Sequence, residues 1–288
     1  MVNISARLLP TAFGQSIARL IGRTNLAMPV VVGATGGSGT RAVQQMLAEA
    51  GLYLGLAGDL NHAGDAMNFE PFLDRYINQI LSHTRCLDYR LDDLPVAMAQ
   101  EIGREFSRVL HCHLMTRPAA VWNWGWKNPR SMYLLPFIQA QFPTFRFIHV
   151  VRDGRDMAVS GNQNQYMKHY AAAFGAELPG DDNAIASFRL WCKANGDVAR
   201  YGREVLGTRY LRVRLEDYVE NPIVEITRIL EFVGVKDIES TDLASLAHRP
   251  DSLGRWRREL TPDKAAKMQT VSAGVLDLFG YENATVKG

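Results

Sequence analysis

Pro29-Val30-Val31-Val32-Gly33-Ala34-Thr35-Gly36-Gly37-Ser38-Gly39-Thr40 is the stretch on which the reading of this chain turns. Three consecutive valines with no polar alternation describe a strand buried on both faces, as in a parallel sheet covered by helices. The run stops at Gly33 and enters a turn made of glycine, alanine and hydroxyl residues. From Arg41 onward Ala42, Val43, Met46, Leu47 and Ala50 recur at helical spacing, and Gly51 supplies the stop. A strand, glycine-rich loop and helix in this order make an anion site. The first helical turn leaves backbone N–H groups without partners, the dipole is positive there, and glycine lets the backbone approach a phosphate closely.

Two more strands of the buried type follow at residues 145–151 and 210–215, and helical periodicity is read at about 69–81, 94–109, 131–142, 156–165, 184–206, 223–233 and 262–278. Strands alternating with helices predict an α/β fold with a central parallel sheet and helices on both faces. Residues 29–288 read as a single domain, with a helical insertion at about 52–125 that reads as a lid or subdomain. Ahead of it, residues 1–28 read as a basic helical arm, because Arg7, Arg19 and Arg23 precede the first acidic residue, Glu49. Such an arm packs on the body or on a neighbouring subunit, which makes a homo-oligomer an expectation. The longest apolar runs are far short of the roughly 20 residues that span a bilayer, so no transmembrane segment is expected. A net charge of +2 over 288 residues is too balanced for a chain that coats nucleic acid. Cys86, Cys112 and Cys192 show no paired or metal spacing, so they read as buried free thiols in a reducing, cytoplasmic setting.

Other residues choose the chemistry of the loop. A nucleoside triphosphatase needs a lysine before the last hydroxyl of its loop, and none is present here. The glycine pattern is similar to the loop of atypical short-chain dehydrogenases, and Asp59 lies twenty residues beyond Gly39. Against an NAD(P)-binding protein, the stretch reaching Asp59 is interrupted by glycine, and no Tyr is followed four residues later by Lys. The strand at 145–151 runs into Arg152-Asp153-Gly154-Arg155-Asp156-Met157-Ala158-Val159-Ser160. Asp153 can cap the next helix, with Asp156 placed as in a capping box, so Arg152 stands at the strand tip and Ser160 about two turns up the helix. A guanidinium and a hydroxyl held so can grip one phosphate from two sides.

Taken in order, the loop at 33–40, Trp126-Lys127-Asn128-Pro129-Arg130, the strand with Arg152 and Ser160, Arg214-Leu215-Glu216-Asp217-Tyr218 with Asn221-Pro222, and Gly254-Arg255-Trp256-Arg257 resemble the sulfotransferase family. Its members take a sulfonate from 3′-phosphoadenosine 5′-phosphosulfate (PAPS). The resemblance spans most of residues 30–280 and implies a P-loop-like fold and in-line transfer to a hydroxyl or amine acceptor. It implies a 5′-phosphosulfate loop over Gly36, Gly37, Ser38, Gly39, Thr40 and Arg41, a 3′-phosphate grip by Arg152 and Ser160, and a late closing loop in which Arg255 or Arg257 touches phosphate. Many members carry a lysine where Gly37 stands, and Lys127 is the natural replacement beside the bridging oxygen.

The general base is open among Asp59, His62, Asp65 and Glu70, and His111 or His113, with Asp65 and Glu70 ranked first because a polar, glycine-containing loop before an amphipathic helix commonly faces a cleft. His111 and His113 alternate as in a strand, and with only Cys112 between them no metal site is expected. Trp122, Trp124 and Trp126 alternate too and read as core rather than as an acceptor pocket. The acceptor itself, whether carbohydrate, lipid, phenol or another small molecule, is left open. A non-catalytic nucleotide-binding module is the remaining alternative, with the glycine at position 37 as its best argument.

Overall fold

The structure is a computed structural model that describes residues 28–281 except 119–120, 122, 181–182 and 237. The expected N-terminal arm, and Trp122, lie outside the described residues. Four strands, β1 (Val30–Gly33), β2 (Gly125–Lys127), β3 (Arg146–Val151) and β4 (Tyr210–Arg214), form one sheet in the order β2-β1-β3-β4. All three pairings are parallel. β1 is central, and its residues point alternately to two covered faces. Val31 joins Trp126 and Phe147 in one core, while Val30 and Val32 join Ile148, Val150 and Val213 in another. The absence of polar alternation in Val30-Val31-Val32 is thereby explained.

The first face is covered by α2 (Glu70–Thr84), α3 (Val96–Met115) and α4 (Leu135–Gln141), the second by α1 (Thr40–Glu49) and by a helix at Pro222–Val233. α2 and α3 come from the stretch expected to be a lid or subdomain. Phe72, Ile77, Phe106 and Leu110 instead share a core with the sheet, so those helices are a packing layer and not a lid. The short β2 is held against β1 by an absence of side chain: a Cβ on Gly125 would lie 1.7 Å from the Val30 carbonyl oxygen. Trp124 and Trp126 are core residues as expected, Trp126 stacking on Phe69 at 4.9 Å.

Three readings of the sequence are corrected. His111 and His113 lie in α3, where Ile102, Phe106, Leu110 and Leu114 are buried at helical spacing. The helix expected at 156–165 is two helices, α5 (Gly154–Ala158) and α6 (Asn164–Phe174). The break is made by the Gln163 amide, which donates to the carbonyls of Met157 and Ser160 at 3.0 and 2.6 Å. The three thiols are free, but only Cys192 is buried; Cys86 is half-buried and Cys112 exposed. A long helix, α7 (Asn183–Tyr201), packs beneath α5. Among the described residues no helix is long and apolar enough to cross a membrane.

Candidate active site

The loop after β1 reaches α1 through two left-handed glycines, Gly37 at φ 81° and Gly39 at φ 83°. Gly39 is the N-cap of α1 and offers no side chain to the helix terminus. Among the described residues, the backbone N–H groups of Gly37, Gly39, Thr40 and Arg41 have no hydrogen-bond acceptor. They open on a cleft of about 640 Å³ at the carboxyl ends of the strands. Its walls include Gly36, Gly37, Gly39, Thr40, Arg41, His62, Asp65, Lys127 and Arg152, all foreseen from sequence.

Lys127, at the end of β2, is 1% exposed and forms part of the cleft floor. Its Nζ donates to the Ala63 carbonyl at 2.8 Å and to Asp65 Oδ1 at 2.5 Å. Burial pulls its pKa below the usual lysine value, and the Asp65 carboxylate opposes that shift. Asp65 is fully engaged, since Asn61 Nδ2 donates to its Oδ2 at 2.9 Å. Glu70 does not line the cleft. It accepts from Asn128 Nδ2 at 2.7 Å and pairs with Arg130, so it fixes the tract after β2. The two carboxylates ranked first as base are therefore structural partners of cations, and of the remaining candidates His62 lines the cleft while Asp59, His111 and His113 do not. Asp59 turns away to accept from Thr116 Oγ1 at 3.1 Å.

Arg152 stands at the tip of β3, 6% exposed. Its Nε and Nη2 donate to Asp156 Oδ2 at 3.1 and 2.9 Å, and Nη1 reaches the Gly37 carbonyl at 3.4 Å. Asp153 caps α5 through Arg155 N at 2.9 Å, as the sequence suggests. Asp156 closes no capping box; it holds Arg152 and the backbone of the late loop instead.

Ser160 is not two turns up a helix but just beyond the end of α5, where its Oγ accepts from Asn162 N at 3.2 Å. It is absent from the cleft lining, as are Ser38, Arg255 and Arg257. Ser38 Oγ is spent on the Thr35 carbonyl at 2.7 Å. Arg255 Nε donates to the Ser252 carbonyl at 3.3 Å, and Arg257 lies over the Trp256 ring at 4.7 Å. Polar residues not foreseen add to the walls, Gln45, Asn162 and His248, while Ser252 belongs to the late loop expected over the nucleotide. Asn162 lies two residues past Ser160, and His248 lies just ahead of the late loop, so both were within reach of the motifs. No cluster of side chains suited to a metal ion occurs among the described residues. His113 in particular is a core histidine, its Nε2 facing the Gly125 carbonyl at 2.8 Å.

Residues 29–239 match the model of the sulfotransferase family. Over 175 residues the chain is 24% identical to mouse carbohydrate sulfotransferase 4, covering 51% of this chain and 45% of that protein. It thus spans less than half the length of that curated relative. Among solved structures, the sulfotransferase domain of the Synechococcus PCC 7002 olefin synthase aligns over 88% of this chain and 94% of its own, at 20% identity and TM-score 0.54. Sulfotransferase STF9 from Mycobacterium avium aligns over 94% and 83%, at 14% identity and TM-score 0.54. These likenesses agree with the parallel sheet and loop described above, and with the family match over more than half its length the chain belongs to the sulfotransferase family.

Proposed function

We propose that this protein transfers a sulfonate group from PAPS to a hydroxyl of a polar, carbohydrate-like acceptor. The observation that carries the reading is one cleft holding Lys127, Arg152 and the acceptor-free N–H groups that begin α1. Three cations, Arg41, Lys127 and Arg152, line it, and among the described lining residues Asp65 is the one carboxylate, the Asp156 partner of Arg152 lying behind the wall. That excess suits a ligand with two separated phosphate groups, one at the loop and one at the tip of β3. PAPS supplies an activated sulfonate whose departing oxygen gains negative charge as the acceptor attacks in line. The N–H groups and Lys127, fixed before reaction, stabilise that charge. His62 takes the acceptor proton.

The polar acceptor is supported by the lining, which among the described residues holds no Phe, Tyr or Trp, and by the name of the mouse relative. A dehydrogenase reading loses its acidic residue, because Asp59 points to Thr116. Radiolabelled PAPS incubated with the protein and a panel of sugars, phenols and lipid alcohols tests the proposal. Labelled sugar should appear, and His62→Gln should cut turnover at least tenfold while leaving the affinity for adenosine 3′,5′-bisphosphate unchanged. Tight bisphosphate binding with no transfer to any acceptor would instead favour a binding module.

A further inference from the structure

Asp156 is the most enclosed acid of the site, its side chain 0% exposed. Four donors converge on it. Oδ2 accepts from Arg152 Nε, Arg152 Nη2 and the Gly254 N–H, the last at 2.6 Å, and Oδ1 accepts from the Trp256 N–H at 3.0 Å. The carboxylate thus grips one edge of the Arg152 guanidinium and leaves Nη1 aimed at the glycine-rich loop, where it reaches the Gly37 carbonyl. With the other half of its capacity it pins the turn at 252–256. Ser252, in that turn, lines the cleft, and its carbonyl accepts from Arg152 Nη2. A buried carboxylate keeps its charge only when paired and hydrogen-bonded, so these four contacts stand or fall together.

We infer that Asp156 is a positioning residue that joins the tip of β3 to the late loop, so that the Arg152 orientation and the 252–256 turn form a single state selected by a phosphate on the ribose 3′-oxygen. The inference rests on the PAPS reading of the cleft. Asp156 touches no ligand itself; it acts through Arg152 and through the backbone of Gly254 and Trp256. Its charge makes the idea testable by sign. Simple Coulomb attraction says that removing a negative charge beside a phosphate site tightens binding, whereas loss of positioning weakens it.

The test is calorimetric titration of wild type and Asp156→Asn with adenosine 3′,5′-bisphosphate and with adenosine 5′-monophosphate, which lacks the 3′-phosphate. The expected result is a loss of at least tenfold in bisphosphate affinity with monophosphate affinity changed less than twofold. Unchanged or tighter bisphosphate binding overturns the assignment, and so does an equal loss for both ligands, which marks a merely structural role. Hydrogen exchange on the wild-type protein gives a measurement independent of the variant's folding. The Gly254 and Trp256 amides should become several-fold better protected with bisphosphate and not with monophosphate, and an equal response to both ligands overturns the assignment. If wild type fails to bind the bisphosphate, the PAPS reading falls and this assignment with it; wild-type binding with an unaffected variant overturns the assignment alone.

Discussion

Lys127 shows how one side chain can replace a cation that the glycine-rich loop lacks. Gly37 has no charge to offer and could not easily hold a side chain, since its φ is 81° and a Cβ would sit 3.1 Å from Met157 Cε. The ammonium arrives from β2 instead, held by Asp65 and the Ala63 carbonyl, so it is oriented before any ligand enters. A cation aimed at charge that develops in the transition state lowers the barrier more than it improves ground-state binding. Lys127→Ala should therefore reduce kcat on the order of a hundredfold, as for one oxyanion donor, with little change in the KM for PAPS. Lys127→Arg should restore little, because a planar fork cannot occupy the berth of a compact ammonium. Steady-state kinetics decide the matter, and full turnover in the alanine variant would remove Lys127 from the chemistry.

Among the elements, the turn from β1 into α1 tolerates least change. Gly39 has φ 83°, and a Cβ there would lie 2.5 Å from Leu215 Cδ1. Gly39→Ala should cost about 1–2 kcal/mol for the left-handed backbone alone, with more from the clash. Urea unfolding should register that loss, and a variant as stable as wild type would show that the loop can reshape freely. This unit was legible in the sequence because three valines buried on two faces and a run of glycines leave few alternatives. β3 was legible because residues 147–151 are buried, whereas β4 was found in place but is an edge strand with only Val213 buried, so the expectation of a buried strand there is corrected. β2 was visible only as alternating tryptophans, since it is three residues long and depends on Gly125 meeting Val30. The strand-like spacing of His111 and His113 misled because a two-residue pattern carries no weight inside a helix whose buried face repeats over Ile102, Phe106 and Leu110. At the site, Lys127 and Arg152 stand at strand tips and so were predictable. Glu70, Ser160, Arg255 and Arg257 were not, because Arg130, the Gln163 amide and Asp156 decide where those residues go, and such long-range pairings leave no local signature.

The whole molecule carries three buried histidines whose proton affinity is suppressed by burial: His113 to about 4, and His149 and His169 to about 3. Burial keeps His149 neutral although Asn195 Oδ1, 2.9 Å from its Nε2, opposes the shift; its Nδ1 lies 2.8 Å from the Tyr210 hydroxyl. Unfolded, each histidine titrates near 6.5, so below that pH the unfolded chain takes up protons that the native state refuses. Their contribution is fully present above pH 6.5 and is lost as pH falls toward the folded values. From pH 7 to pH 5 the loss should be about 2 kcal/mol per histidine, read from urea midpoints, and His169→Gln should flatten the slope. Equal stability at both pH values would contradict the buried, neutral assignment. Synthesis exposes another side of the same architecture. β1 sits between β2 and β3, and its partners leave the ribosome only about 95 and about 115 residues after it. At roughly 5–20 residues per second, the nascent chain displays Val30, Val31 and Val32 with both edges bare for on the order of ten seconds. A short β-branched edge of that kind invites strand addition by a neighbouring chain, so crowded polysomes are where this protein is most exposed to misassembly.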